Sequence, residues 1–179
     1  FSFSRFKHQE TGGFSDNDRF YDLGMRYKAK QYFLFLGGNK TDLASGKNGP
    51  VNIIAGGNYD FGKVKAFLQY RHSEHLTSVG SGFKGKGDWK TNGVMLGLQY
   101  RPTATGMIMA GVKYLNAKSE AAKTDNKFNK MGLSLGYQHF FSKRTDAYAV
   151  GSYTWADKAA DGASTENRTQ VMVGLRHRF

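Results

Sequence analysis

The sequence has 179 residues, with 23 Gly, 2 Pro, no Cys, 15% aromatic residues and a formal net charge of +12. Glycine at about twice its average usage of ~7% and abundant aromatic residues predict an all-β fold, and the lack of cysteine excludes disulfides and thiolate metal sites. No apolar run reaches the roughly 18 residues that a membrane helix needs. The positive net charge is compatible with three functions, which are nucleic-acid binding, contact with a membrane surface and an electropositive conduit for anions.

Alternation of apolar and polar residues is the main pattern along the chain. Residues 1–6 alternate briefly and predict a partial strand. Strict alternation then recurs in segments 21–27, 51–59, 94–100, 131–137 and 171–179. A second group shares the order apolar, x, Ala, x, small or apolar, x, Tyr, and its clear members are 64–70, 108–114 and 147–153, with a weaker member at 32–36. These ten segments predict an antiparallel, up-and-down sheet.

The connections between these segments alternate between short and long. Short turns are predicted around residue 29, at 60–62, at 101–105 and at 140–144. Long polar connections are predicted at 37–50, 72–88, 115–127 and 156–168. Short turns at one end and long loops at the other are typical of a transmembrane β-barrel, with both termini at the short-turn end.

Aromatic residues recur at corresponding positions of the alternating segments. We predict that they face lipid as two interfacial rings, because amphipathic aromatic side chains concentrate at membrane surfaces. The competing interpretation is that they cap the core of a soluble β-sandwich. The ring beside the short turns comprises Tyr27, Tyr59, Tyr100, Tyr137 and Phe179, and the ring near the loops comprises Tyr70, Tyr114, Tyr153 and Trp155.

Basic residues occupy the opposite face of the predicted strands, where Asp22 is the acidic residue assigned. We predict an electropositive lumen that favours anions, because aligned cations in a low-dielectric wall concentrate counter-ions. Glycines on this face remove bulk or relieve crowding where strands curve. The predicted pore-lining residues are Arg26, Lys28, Lys63, Lys65, Arg71, Lys113, Lys130, Arg176 and Arg178.

The C-terminal segment carries a family resemblance. Alternating apolar and aromatic residues from Val171 lead to a terminal Phe179, which resembles the signature of outer-membrane proteins handled by the barrel-assembly machinery. Residues 141–149 followed by 173–179 are similar to the final hairpin of general-diffusion porins of Gram-negative bacteria, of the β-proteobacterial and neisserial kind. The resemblance implies a sixteen-stranded homotrimeric porin in the bacterial outer membrane, in contact with lipid and lipopolysaccharide, through which small anions and hydrophilic solutes diffuse.

The sequence also departs from that family. A porin of that family needs roughly twice this length, and no constriction loop is found in this sequence. Two interpretations of the chain are therefore possible. Residues 1–179 are either one complete small outer-membrane barrel domain or, as we favour because Phe1 falls inside a strand, the C-terminal part of a larger barrel.

Two functions other than a channel are compatible with the sequence, namely surface recognition and catalysis. A surface-recognition barrel could use Lys84, Lys86 and Lys90 of the longest connection. A barrel enzyme would need loop-end acids and imidazoles, but no spacing selects a pair among the available residues, which are Asp16, Asp18, His72, His75, Asp88 and Asp157.

Three further kinds of site find little support. The glycine spacing at 80–85 lacks the strand and helix of a dinucleotide site. A metal site at 72–75 lacks a further ligand, and nucleic-acid binding lacks a stacking face. We therefore predict no catalytic residue, metal, cofactor or nucleic-acid partner.

Overall fold

The computed structural model describes residues 2–7, 17–45, 48–77, 79, 88–119, 127–156 and 167–179. Their regular structure is ten strands in one antiparallel sheet, paired in sequence order as the alternation predicts. In the described residues, no helix is long and apolar enough to cross a membrane. The strands are β1 Ser2–Lys7, β2 Asn17–Lys28, β3 Tyr32–Asp42, β4 Asn48–Asp60, β5 Val64–Leu76, β6 Trp89–Tyr100, β7 Gly106–Ser119, β8 Lys127–Phe140, β9 Thr145–Ala156 and β10 Arg168–His177.

Pairing runs from each strand to its neighbour in the chain. The partial strand predicted at the N-terminus is confirmed as β1, in which Ser2 lies opposite Asp22 of β2. At the other edge, Arg168 of β10 lies opposite Thr154 of β9. Among the described residues, no pairing joins β1 to β10, so each keeps one unpaired edge.

The predicted short turns are confirmed. Ala29, Phe61 and Phe141 each donate a backbone N–H across their turn, to the carbonyl groups of Tyr32, Val64 and Thr145 respectively. In the β4–β5 turn, Gly62 has a φ of 94°, a conformation that favours glycine. These turns set the antiparallel register at this end of the sheet.

The predicted long loops were partly wrong, because the strands continue into them. The interval 37–50 includes the end of β3 and the start of β4, and the interval 115–127 includes the end of β7. In 72–88, β5 continues to Leu76. These extensions carry polar residues where apolar alternation would mark a strand, for example Lys40 and Asn116.

A β-bulge shifts the end of β5. Ser73 pairs with Thr91, but the next partners are Leu76 and Trp89. His75 and Asp88 have left-handed φ values of 55° and 73°, and His75 Nδ1 lies 2.6 Å from Asp88 Oδ1. The bulge turns Leu76 to the side of the sheet where Trp89 is buried.

A buried cluster of described residues lies at the loop end of β6 to β9. Trp89 and Ala117 have no exposed surface, and Phe128 is nearly as buried. The rings of Trp89 and Phe128 meet edge to face with centroids 5.5 Å apart. This packing anchors the loop ends of the strands against one side of the sheet, here called the inner face.

The opposite side, the outer face, exposes large apolar side chains. Leu23, Leu135 and Val173 are 60%, 64% and 73% exposed. Apolar area costs about 25 cal/mol per Å² in water, so a continuous face of this kind requires an apolar environment.

Candidate channel wall

The strand register fixes which residues share the inner face, because directly paired residues point to the same side of a sheet. One inner-face row crosses the whole sheet from β2 to β10, each residue paired with the next. Its members are Arg26, Phe35, Gly56, Gln69, Met95, Lys113, Gly132, Thr154 and Arg168. Cations therefore occur near both ends and in the middle of this row.

The predicted pore-lining residues fall into two groups. Within the strands and on the inner face are Arg26, Lys28, Lys65, Arg71, Lys113, Lys130 and Arg176. Lys63 lies in the β4–β5 turn, and Arg178 follows β10, where its N–H donates to the Arg144 carbonyl at 2.9 Å. These two cations lie at the short-turn margin of the wall, and the pore-lining role of all nine stays a prediction.

Two inner-face acids were missed by the sequence reading. Asp60 is directly opposite Lys65, and Asp146 is directly opposite Arg176. The excess of basic residues on this face is therefore smaller than predicted. Both acids lie next to turns. There the alternation does not show which face of the sheet a residue occupies until its partner strand is known.

Asp146 connects three strands. Its Oδ1 accepts hydrogen bonds from Nε and Nη2 of Arg176 on β10, at 2.9 and 2.8 Å. Its Oδ2 accepts one at 2.7 Å from Nε2 of Gln138 on β8. The Asp146 side chain is 6% exposed and that of Arg176 is 46% exposed, so the acid is enclosed while the guanidinium reaches open space. Both guanidinium N–H groups donate to the same carboxylate oxygen, and such charge-assisted hydrogen bonds are stronger than neutral ones.

Arg71 is held by neutral groups. Its Nη2 donates to Oδ1 of Asn52 at 2.8 Å, and its Nε donates to Oγ of Ser73 at 3.3 Å. The Ser73 hydroxyl donates to the same Asn52 oxygen, and Asn52 in turn donates to Oδ1 of Asn39. These contacts orient the guanidinium along the wall without cancelling its charge.

Inner-face glycines lie opposite larger side chains. The ring of Phe35 covers Gly56, and a Cβ added there would be 2.8 Å from its Cζ. Lys113 lies across Gly132 in the same way, and Tyr148 across Gly174. The glycines therefore let side chains lie along the wall instead of standing away from it.

Aromatic rings occupy the outer face at two levels. Tyr70, Tyr114 and Trp155 belong to one row of paired residues near the loops. Tyr100 and Tyr137 belong to a row near the turns. The sequence analysis missed Tyr32, Phe61 and His139, whose ring centroids lie within 6.2 Å of those of predicted members. Phe61 and His139 lie two residues after Tyr59 and Tyr137, as Phe179 lies two residues after His177, and this spacing is the signal that could have found these two rings.

Beyond the loop-side aromatic level, the outer face becomes polar. Hydrogen bonds of 2.7 to 2.8 Å join the Tyr70 hydroxyl to Asn92 and the Tyr114 hydroxyl to Asn129. Asn116 also donates to Asn129. We call the residues of this level the polar rim, which comprises His72, Glu74, Asn92, Asn116 and Asn129.

Glu74 is the acid of the polar rim and lies past Tyr70, outside the apolar band. Its Oε1 is 2.5 Å from Lys90 Nζ and 3.1 Å from His72 Nε2. Hydrogen bonds from Lys90 and then His72 lower the pKa of Glu74 to about 2. The carboxylate therefore remains ionised at acidic pH values at which an ordinary glutamate is protonated.

The loop-end residues considered for catalysis or metal binding have separate partners. His72 contacts Asn92 and Glu74, whereas His75 contacts Asp88. Asp18 Oδ1 accepts the Ala44 N–H at 2.8 Å. The remaining candidates lie outside the described residues, and they are Asp16, residues 80–85, Lys84, Lys86 and Asp157.

Comparison with known proteins agrees with this geometry. A family model described as Gram-negative porin matches residues 4–159. An outer membrane porin protein of Bordetella pertussis is 29% identical over 189 residues, covering 92% of this chain and 47% of that protein. Outer membrane porin protein 32 of Delftia acidovorans is 28% identical over 158 residues, covering 82% of this chain and 42% of that protein.

Solved structures show a similar fold. OmpT of Vibrio cholerae expressed in the outer membrane matches 91% of this chain and 57% of its own length, with a TM-score of 0.66 and 13% identity. The same protein folded in vitro matches 91% and 56%, with a TM-score of 0.67. The chain spans less than half the length of the two curated relatives, at 47% and 42%.

Proposed function

The chain belongs to the Gram-negative porin family of the bacterial outer membrane, and from that premise we propose that its ten strands form part of the wall of a water-filled channel. Small hydrophilic solutes pass through it by passive diffusion, and anions pass more readily than cations. Such transport needs no catalytic group, because electrostatics and steric sieving set the rate.

The observation that carries this proposal is the contrast between the two faces. The outer face exposes apolar side chains such as Leu34, Leu96 and Leu133 at 51%, 49% and 50%. The inner face carries Arg26, Gln69 and Lys113 in a single row. A wall with lipid on one side and water on the other requires this division.

Anion preference is supported by the balance of charge on the inner face, where the cations outnumber the acids, which include Asp22, Asp60 and Asp146. Asp60 pairs with Lys65 at 3.4 Å, and Asp146 pairs with Arg176 at 2.8 Å. Arg71 instead has neutral hydrogen-bond partners. Arg26 and Lys113 are exposed on the same face. The net field of this wall is therefore positive, which raises the local concentration of anions.

The free edges of β1 and β10 are relevant to the number of strands that the closed barrel needs. Unpaired backbone groups are not tolerated in contact with lipid, so both edges need partners in the membrane. We propose that further strands complete the wall, within the sixteen-stranded homotrimer implied by the family resemblance. The mass of the purified subunit and chemical cross-linking of intact membranes test this arrangement.

The experiment that tests the proposed function is a measurement in planar bilayers on the protein purified from outer membranes. We expect stepwise conductance, and a reversal potential in asymmetric KCl whose sign indicates preference for chloride. A clear cation preference would contradict the proposed selectivity. Absence of any conductance, with protein shown to be folded by its mobility on gels, would contradict the channel itself.

A further inference from the structure

A hollow of about 410 Å³ lies on the inner face of β6 to β8. This volume is within the range of roughly 300–1,000 Å³ that is typical of small-molecule sites. Its floor is formed where Gly97 of β6 is directly opposite Gly111 of β7, so two neighbouring strands lack a side chain at the same level. In the described part of the chain, a Cβ added at Gly111 would approach only the Leu96 carbonyl oxygen, at 3.5 Å. The backbone is therefore open to a solute here, and we call this site the glycine hollow.

Apolar side chains border the floor of the glycine hollow. Phe67 of β5 is directly opposite Gly97, and its Cδ2 lies 3.7 Å from the position of an added Cβ there. Met95 precedes Gly97 by two residues on β6, and Met109 precedes Gly111 by two on β7. Because the two strands run in opposite directions, one methionine lies on the loop side of the floor and the other on the turn side. A flat group on the floor would thus have a ring beside it and a thioether at each end.

Three polar side chains also line the glycine hollow. Lys113 is directly opposite Met95 at the loop-side end, Gln99 lies at the turn-side end, and Ser134 is directly opposite Gly111. Within the described ranges, Lys113 forms no ion pair, and the Gln99 amide and the Ser134 hydroxyl have no hydrogen-bond partner. No acidic residue belongs to the described lining. The lining therefore presents an apolar floor with a positive charge at one end.

We propose that the glycine hollow binds aromatic monocarboxylates as they pass along the channel wall. The aromatic ring lies flat on the backbone at Gly97 and Gly111, and the carboxylate contacts Nζ of Lys113. Aromatic rings make favourable contacts with methionine sulfur at about 5 Å and with other rings in tilted or offset arrangements. The bordering phenylalanine and methionines therefore favour an aromatic body over an aliphatic one of the same charge.

This inference deepens the proposed function and rests on it, because solutes reach the glycine hollow only if the inner face lines a water-filled channel. Cations elsewhere on the inner face attract any small anion, whatever its uncharged part. The glycine hollow adds a contact for that uncharged part and so distinguishes among anions. The site is open on one side and has a single cation in its described lining. Such a site binds weakly enough to release its solute, as passage through a channel requires.

The test is ligand-observed saturation-transfer NMR with benzoate and the detergent-solubilised full-length protein. Gly111→Leu fills the glycine hollow from its floor, and Gly24→Leu is the matched control. Gly24 is an inner-face glycine of β2 outside the hollow, where an added Cβ would approach only the Leu36 carbonyl oxygen among the described atoms, at 3.8 Å. We expect Gly111→Leu to bind benzoate about tenfold more weakly, because the leucine takes the space of the ring. Gly24→Leu is expected to bind benzoate as the unaltered protein does.

A second pair of variants tests the carboxylate contact. Lys113→Gln removes the cation of the glycine hollow, and Arg26→Gln removes a cation of the same inner-face row outside it. We expect Lys113→Gln to weaken benzoate binding about threefold, as loss of an ion pair at an exposed site does. Arg26→Gln should change it little. Benzamide, which has the ring without the charge, should bind the unaltered protein as weakly as benzoate binds Lys113→Gln.

The possible outcomes separate the site from the channel. Unchanged binding by Gly111→Leu, or an equal loss in Gly24→Leu, would overturn the site, with folding of each variant checked by its mobility on gels. Equal losses in Lys113→Gln and Arg26→Gln would overturn the carboxylate contact. Cyclohexanecarboxylate binding as tight as that of benzoate would overturn the preference for aromatic solutes. A protein that conducts but does not bind benzoate would refute this inference alone, whereas one that binds benzoate but does not conduct would refute the proposed channel alone.

Discussion

Single residues on the inner face decide how much space the wall leaves open. Phe35, Lys113 and Tyr148 each lie across a glycine on the adjacent strand. A longer side chain at those glycine positions would force its neighbour away from the wall. The inner surface is therefore shaped by pairs of residues, a small one and a large one, and not by small residues alone.

Replacement of Gly56 by alanine tests this pairing. The new Cβ would lie 2.6 Å from the Leu68 carbonyl oxygen and 2.8 Å from Phe35 Cζ, and the backbone oxygen has little freedom to move. We expect Gly56→Ala to destabilise the folded protein by about 1–3 kcal/mol, as overpacking does. Urea unfolding in lipid vesicles measures the change.

Gly151→Ala is the matched control for that substitution. Gly151 lies on the outer face of β9, and nothing lies within 4 Å of the position that a Cβ would take there. We expect its free energy of unfolding to change by less than about 0.5 kcal/mol. Equal losses for the two variants would show that the loss reflects glycine's backbone freedom and not the Phe35 contact.

Glu74 gives a prediction for the dependence of stability on pH. Hydrogen bonds from Lys90 and His72 lower its pKa to about 2 from the ordinary 4.5. A depressed pKa stabilises the folded state above the unfolded pKa, and the contribution is lost as the pH falls through the folded one. We expect the unfolding temperatures of the unaltered protein and Glu74→Gln to differ at pH 7 and to converge near pH 2. A difference that disappears already at pH 4 would contradict this assignment.

At the scale of strands, the alternation in the sequence predicts the membrane-spanning parts well. Apolar residues at every second position identify β2, β4, β6, β8 and β10, because each strand there has one face in lipid. The same signal fails beyond the aromatic levels, where Asn92, Asn116 and Asn129 point outward from strands that continue into water. The ends of those strands therefore cannot be found from hydrophobic periodicity.

Charge pairing between strands is also hidden from the sequence. Asp146 and Arg176 are far apart in the chain, and only the register of β9 with β10 brings them together. The same holds for Lys90, Lys118 and Lys127, whose alignment needs two pairings at once. Composition predicted a basic protein, but not which cations are compensated.

The enclosed Asp146 carboxylate of β9 links β8 and β10 through its hydrogen bonds with Gln138 and Arg176. We expect Asp146→Asn to lower the temperature at which the folded form is lost on gels, because Arg176 loses a charged partner on a strand with one free edge. Asp60→Asn is the control, since its Lys65 contact of 3.4 Å joins two more exposed groups. The double variant Asp146→Asn/Arg176→Gln should be less affected than the sum of its single variants. Strict additivity would indicate that the contact contributes nothing.

At the scale of the whole sheet, the inner-face charges of the proposed channel are expected to act together. Each cation influences ions within about one Debye length, roughly 10 Å at 0.1 M salt. Cations in one row across the sheet therefore produce a field along the wall that no single residue determines. Ion selectivity is therefore expected to weaken stepwise as inner-face cations are removed.

Arg26→Gln/Lys113→Gln removes two cations of the same inner-face row. We expect the reversal potential in asymmetric KCl to be roughly halved, because fewer fixed charges concentrate chloride. Lys40→Gln is the control, since Lys40 is paired with Asp42 at 2.8 Å on the outer face. A shift of equal size in the control would mean that net charge, and not the lining of the lumen, sets selectivity.

The contact of His75 with Asp88 lies at the base of the connection between β5 and β6. His75 Nδ1 lies 2.6 Å from Asp88 Oδ1 and Leu76 is paired with Trp89, so the described ends of that connection are held together. Since loop length adds only slowly to the entropy of closure, we expect insertions after Val79, which packs against the buried cluster, to be tolerated. Changes of sequence there are thus expected to leave the register of β5 with β6, and the inner face that depends on it, unchanged.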